Sequence, residues 1–281
     1  MTLKYFNDLA YEEIGEENDD TILFLHIKLL DKWIWIKQKE EYEKYFKDYH
    51  CIFLDLPHHG ESKFEGEFSI KESSKKISEF IKNLIISKKT DKINIISIGL
   101  GSSIAIEILN KNPQMIDNLI LSGPEINDFK EEKAESVINS LAKTQSEHLN
   151  EKPDMFIVKA YLRYYGISKE YYEYIERILD RSINEEKEIA FESLNYTIPE
   201  DLFEDILKKE NILIIYGTKE DLNCTKSAIE LKGLFANGKL VEINKGNHLW
   251  NIINWELFNT ITRDFIKFNT IEENPKIRIL E

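Results

Sequence analysis

The chain has 281 residues, with 37 Lys and Arg against 51 Asp and Glu, a net charge of −14, and 42% hydrophobic residues. So acidic a surface repels phosphates, because nucleic-acid binders use basic clusters to displace counterions; DNA and RNA are excluded as expected partners. The length suits one large α/β domain, or a core with an insertion, and the composition is that of a globular chain.

In chain order, two weaker strand patterns come first, Leu3–Phe6 and Leu9–Ile14. Short apolar runs follow at Thr21–His26, His50–Leu54, Ile93–Ile98, Asn118–Leu121, Ile212–Tyr216 and Lys239–Ile243. Helical patterns separate them at Glu40–Lys47, Ile70–Ser87, Ser102–Asn112, Lys226–Phe235 and Asn251–Phe268. Apolar runs alternating with helices predict a mainly parallel sheet covered on both faces. From about Glu125 to Asp205 the rhythm breaks into charged helical patterns without a central strand. Tyr161, Tyr164, Tyr165, Tyr171, Tyr172, Tyr174 and Tyr196 fall here, most of them expected to pack helices together and a few to face a pocket. An insertion at this place predicts a cap over the carboxyl ends of the strands, where open α/β sheets bind ligands. The expected organisation is core 1–124, helical cap 125–205 and core 206–281. The tail, Thr270–Glu281, is charged and expected to be peripheral.

Cys51 and Cys224 are the only cysteines, so no disulfide framework is available, and no C-x-x-C or Cys/His spacing suggests zinc. No metal or organic cofactor is expected. Met1–Asp20 is polar and acidic, without a basic-then-apolar leader. The most apolar stretch, Ile93–Leu109, contains Asn94 and Glu107 and does not read as a membrane span. A soluble protein of a reducing, cytoplasmic compartment is expected.

Four segments resemble, in order, the α/β-hydrolase superfamily, and together they cover nearly the whole chain. Phe24-Leu25-His26-Ile27, followed by Trp33, is similar to the strand ending in His-Gly that supplies one oxyanion-hole amide, with Ile27 where the family usually has Gly. His26 reads equally well as a structural strand-end histidine. Asp55-Leu56-Pro57-His58-His59-Gly60-Glu61-Ser62 is similar to the family's Asp-x-Pro-Gly-His-Gly-x-Ser turn, with His58 in place of Gly. That motif is structural more than chemical, because Pro and Gly fix a tight turn.

Ser97-Ile98-Gly99-Leu100-Gly101 falls where the family has its nucleophile elbow, G-x-S-x-G, a strand–turn–helix whose small residues at minus two and plus two permit close approach. Ser97 and Gly101 meet that requirement, but the central residue is Gly99, which has no side chain. A register centred on Ser103 does not fit the resemblance: Glu107 and Pro113 fall on the family's downstream marks only when counted from Gly99. Gly also tolerates the strained backbone that costs other residues about 1–3 kcal/mol.

Ile214–Asp221 resembles the strand and loop carrying the triad acid, three residues after the Gly. That spacing selects Glu220, with Asp221 as a neighbouring candidate. Asn244–Trp250 resembles the loop of the catalytic histidine, here His248. The order nucleophile, acid, histidine is that of this fold. In a working triad the acid orients His248, which takes the nucleophile's proton. The remaining oxyanion donors implied are the amide of Leu100 and one near Ile27 or Lys28.

The resemblance therefore implies an α/β-hydrolase fold with a helical cap and a pocket for a small ligand with an apolar part. Three readings of function stand at this point: a serine ester or acyl hydrolase impaired by Gly99, a non-catalytic ligand-binding module, or an enzyme using lyase-type or His-activated-water chemistry.

Overall fold

The computed structural model describes residues 1–28, 30–126, 159, 163, 167–177, 196–198 and 204–280. Nine strands form one sheet among these residues, in the order β1-β2-β4-β3-β5-β6-β7-β8-β9. They are β1 Lys4–Phe6, β2 Leu9–Ile14, β3 Thr21–Leu25, β4 His50–Leu54, β5 Ile93–Ile98, β6 Ile116–Ser122, β7 Ile212–Gly217, β8 Lys239–Ile243 and β9 Ile277–Leu280. From β4 across to β8 all neighbours are parallel, whereas β1, β2 and β9 are antiparallel additions at the two edges.

The parallel strands read as unbroken apolar runs because both of their faces are covered. Leu23, Leu25, Ile52, Leu54, Ile95 and Ile214 point to one side, where α1 (Ile70–Lys88), α2 (Leu100–Lys111) and α3 (Leu222–Leu234) pack. The alternating residues Ile22, Phe24, Phe53, Ile96 and Ile215 point to the other, against Trp35, Trp250 and α4 (Trp255–Phe268). Local signals set the helix ends. Ser69 caps α1 by accepting from the Glu72 N–H, in the S-x-x-E arrangement, and Lys89 closes the helix at φ 55°. Asp221 caps α3 in the same way, accepting from the Cys224 N–H at 2.9 Å.

The tail is exposed over most of its length, as expected, and its last residues, Ile277–Leu280, add an edge strand antiparallel to β8. One expectation needs correction. The pattern over Glu40–Lys47 resolves into two short helices, Ile36–Glu40 and Tyr42–Tyr45, broken at Glu41. Most of the expected cap, with Tyr161, Tyr164 and Tyr165, lies outside the described residues. Where it is described, Tyr171 and Tyr174 pack on Trp33, their ring centroids 5.4 and 5.6 Å away.

The turn after β4 is built around Asp55. Its buried carboxylate accepts from the Lys32 N–H (2.8 Å), the Lys32 ammonium (2.6 Å) and the Glu61 N–H (2.9 Å). The Ser62 hydroxyl donates to the Asp55 carbonyl and accepts from Ala10 N–H, tying the turn to β2. His58, standing where the resemblance has Gly, takes φ 64°.

These parallel strands all point their carboxyl ends the same way. The sheet order reverses between β3 and β5, with β4 on one side of β3 and β6 to β8 beyond β5, so the tip of β5 lies at a topological switch point. Removing the Asp55 carboxylate would strand a buried ammonium and two backbone donors. Asp55→Ala is expected to lower stability by about 3–5 kcal/mol, seen as a lower denaturant midpoint with the slope unchanged.

Candidate active site

Gly99 is the residue between β5 and α2, with φ 56° and ψ −119°. This is a conformation L side chains rarely adopt and glycine adopts freely. Its N–H donates to the Ser122 carbonyl (3.0 Å) and its carbonyl accepts from Ser102 N–H (2.8 Å), so the turn is pinned between β6 and the helix. Two residues on, Gly101 is pressed against β3. A Cβ there would lie 2.5 Å from the Leu25 carbonyl oxygen and 2.8 Å from that of His26. The close approach brings the chain after β3 beside Gly99, and the Ile27 Cβ lies 3.4 Å from where a Gly99 Cβ would stand.

The other wall comes from β6, β7 and β8. Glu220 lies three residues past the end of β7 and is 1% exposed at its side chain. One carboxylate oxygen accepts from His248 Nδ1 at 2.9 Å and the other from the Gly217 N–H at 2.9 Å. Gly123, after β6, makes room for this pair, because a Cβ there would stand 2.5 Å from Glu220 Oε1 and 2.7 Å from His248 Nδ1. Nδ1 therefore donates to Glu220, and Nε2 is aimed at the β5 tip. A Cβ at Gly99 would be 2.8 Å from Nε2, closer than two such atoms normally approach.

Two groups that sequence reasoning did not single out complete the surroundings. Glu125, two residues beyond Gly123, places Oε1 3.7 Å from His248 Nε2, and its Oε2 accepts from the Lys28 ammonium at 2.8 Å. The segment is held by Ser103, whose hydroxyl donates to the Glu125 carbonyl (2.9 Å), and by Ser227, which bonds both Ile126 N–H and carbonyl. Cys224, in the first turn of α3, sets Sγ 3.8 Å from His248 Nδ1. The signal for Glu125 was its position just past a parallel strand; for Cys224 there was none, since Asp221 drew attention as an acid.

Burial opposes the charged form of His248, but the hydrogen bond to Glu220 and the charges of Glu220 and Glu125 outweigh it, and its pKa is raised. Burial likewise disfavours ionised Glu125, yet Lys28 and His248 bring its pKa below the usual carboxylate value. Lys28 is desolvated and still raised, through Glu125. Burial pushes the Cys224 thiol well up, and Glu220, Glu125 and Asp221 add to the effect.

The sequence-derived residues thus separate into groups. Gly99, Glu220 and His248 come together, with Ile27 and Lys28 across from them. Leu100 opens α2, where the first N–H groups have no partner within the helix. Asp221 caps α3 and does not bond the imidazole. His26, a candidate for the oxyanion region, is engaged elsewhere: Nδ1 donates to the Ile27 carbonyl (2.6 Å) and Nε2 accepts from Leu56 N–H (2.9 Å). It is a buried strut between the β3 and β4 loops. By turning the Ile27 carbonyl toward its ring, His26 also turns the Lys28 N–H of that trans peptide the opposite way.

A profile of the α/β hydrolase fold matches residues 20–254, and the chain belongs to that family. Comparison with curated proteins gives no match. Among solved structures, an esterase from Thermogutta terrifontis in a malate-bound form is 19% identical, covering 92% of this chain and 93% of its own, with TM-score 0.71. MenH from S. aureus is 18% identical over 93% of this chain and 98% of its own, TM-score 0.69. A structure from work on carboxylesterases of Nitrososphaera gargenis is 17% identical over 96% and 100%, TM-score 0.67. At such identities the likeness is one of fold.

His26 and His59 give the structure a pH dependence. Burial holds both down to about 3, in His59 against the opposing hydrogen bond from Nδ1 to the Pro57 carbonyl. Below pH 6.5 the unfolded chain takes up these protons while the folded chain does not, so stability falls as pH drops from 6.5 toward 3. Each histidine contributes up to about 1.4 kcal/mol per pH unit. His248, raised, acts in the opposite sense: its contribution is complete below 6.5 and lost at higher pH. Denaturant midpoints at pH 5, 6 and 7 are expected to decline toward acid, with a limb shallower by about one proton in His59→Leu.

Proposed function

We propose that Gly99 occupies the position of the family's nucleophile, and that the chain is a serine ester or acyl hydrolase in lineage that lacks serine-type turnover. The observation that carries this reading is the orientation of His248. Its Nδ1 is bonded to Glu220, and its Nε2 faces the Gly99 turn, where residue 99 itself carries no hydroxyl to give up a proton. Leu100 N–H and Lys28 N–H are the amides assigned to an oxyanion. Neither forms an acyl-enzyme without an attacking oxygen at residue 99, and loss of one triad member leaves only about 10³–10⁴-fold catalysis over water.

Residues 125–205 are read as the cap. Tyr171 and Tyr174, resting on Trp33 close after the β3 loop, support a pocket wall of aromatic character and a small-molecule ligand with an apolar part. The raised pKa of His248 weighs against the reading in which this histidine, neutral, activates a water as general base. A carboxylate on each side of the ring favours the imidazolium.

The test compares wild type, Gly99→Ser and Gly99→Ser/His248→Ala, using a serine-directed phosphonate label and aryl esters in EDTA-containing buffer. Wild type is expected to stay unlabelled. Gly99→Ser is expected to fold with a loss of about 1–3 kcal/mol, to be labelled and to turn over ester, and to lose both with His248→Ala. Labelling of wild type, or silence from folded Gly99→Ser, overturns the reading.

A further inference from the structure

The loops after β6 and β8 and the first turn of α3 bring together three metal-ligating side chains that are far apart in sequence. Glu125, Cys224 and His248 each offer a ligand atom within 4.8 Å of the others. Thiolate, imidazole and carboxylate form the donor set that Zn²⁺ and its thiophilic relatives take. Within the imidazole the choice of atom is settled by Glu220, which holds Nδ1 at 2.9 Å. Nε2 is buried and has no hydrogen-bond partner among the described residues. A ligating histidine whose second nitrogen donates to a carboxylate is the common arrangement in metal sites, because the carboxylate fixes the tautomer and orients the ring.

The spacing fits as well. Nε2 and Glu125 Oε1 are 3.7 Å apart. Two ligands on one tetrahedral ion at 2.0–2.2 Å are about 3.4 Å apart, so an ion enters between them with a shift of a few tenths of an ångström. Glu125 Oε2 stays with Lys28, leaving Oε1 for the ion. Cys224 Sγ lies on the Glu220 side of the ring, 3.8 Å from Nδ1 and 3.9 Å from the Gly123 carbonyl oxygen. A rotation of that side chain is needed to bring it onto the ion. The local charge favours a cation: the carboxylates of Glu125, Glu220 and Asp221 surround the thiol, against the single ammonium of Lys28.

We propose that Glu125, Cys224 and His248 Nε2 form a binding site for a thiophilic divalent cation of the zinc class, its fourth position open toward Gly99. The cation takes the place of a proton between Glu125 and His248, and the Cys224 thiol loses its proton to solvent as the sulfur binds. The inference rests on the placement of these three side chains and not on what residue 99 has replaced.

The experiment uses full-length wild-type protein stripped with EDTA and titrated with Cd²⁺, then with Zn²⁺ against a chromophoric chelator. One equivalent is expected to bind, with a thiolate-to-cadmium charge-transfer band and release of protons in weak buffer. Cys224→Ser is expected to lose the band, Glu125→Gln to bind at least tenfold more weakly, and Cys51→Ser to behave as wild type, each checked for folding by circular dichroism. For wild type alone, Zn²⁺ is expected to shift the His248 Nε2 nitrogen resonance. The proposal is overturned if no stoichiometric cation binds, if the band survives Cys224→Ser, or if the His248 resonance does not respond. None of these results touches the phosphonate experiment, so the two readings fail separately.

Discussion

The contact between Glu220 and His248 organises the carboxyl-terminal edge of the sheet. It joins the loop after β7 to the loop after β8 across the end of β6, and it forms because Gly123 leaves the space empty. Glu220 is further held by the Gly217 N–H, so the carboxylate is fixed before it meets the imidazole. A buried carboxylate with both oxygens bonded can bear its charge away from water, and that charge keeps the imidazole in one tautomer and one orientation. Everything described at the β5 tip follows from that orientation: which nitrogen faces Gly99, which faces Glu125, and how close either can come.

The parallel strands were legible because burial on both faces leaves an apolar run in the sequence, as in Ile93–Ile98 and Ile212–Gly217. β9 was not, because Ile277–Leu280 is an edge strand with Arg278 in its middle and takes its place only through pairing with β8. The acid and histidine loops were legible through their spacing from strand ends, and Glu220 bonds the imidazole whereas Asp221 caps a helix. His26 was ambiguous for a physical reason. A histidine at a strand end looks the same in sequence whether its nitrogens face a pocket or the backbone of neighbouring loops, and here both face backbone. Glu125 was marked only by its place just past a parallel strand, and Cys224 by nothing local; the proximity of both to His248 is made by strand order.

The electrostatics around His248 are unlike those of an imidazole poised beside a neutral hydroxyl. Carboxylates lie on both sides of the ring, and a lysine stands behind one of them. Among these groups the ammonium of Lys28 and the carboxylate of Glu125 compensate each other, which is how both remain charged in a poorly solvated place. The balance left over is negative, and it falls on the histidine and the thiol.

The ion pair under the β4 turn has a reach beyond that turn. Lys32 begins the short helix Lys32–Trp35, and the adjacent Trp33 is the platform on which Tyr171 and Tyr174 rest. The Asp55 carboxylate therefore anchors not only a loop but the segment carrying the ring on which two tyrosines pack. The desolvation penalty of a buried ion pair shrinks as temperature rises, while apolar burial per unit area levels off. On warming, the ion pair that seats Lys32 therefore gains relative to the apolar contacts around it.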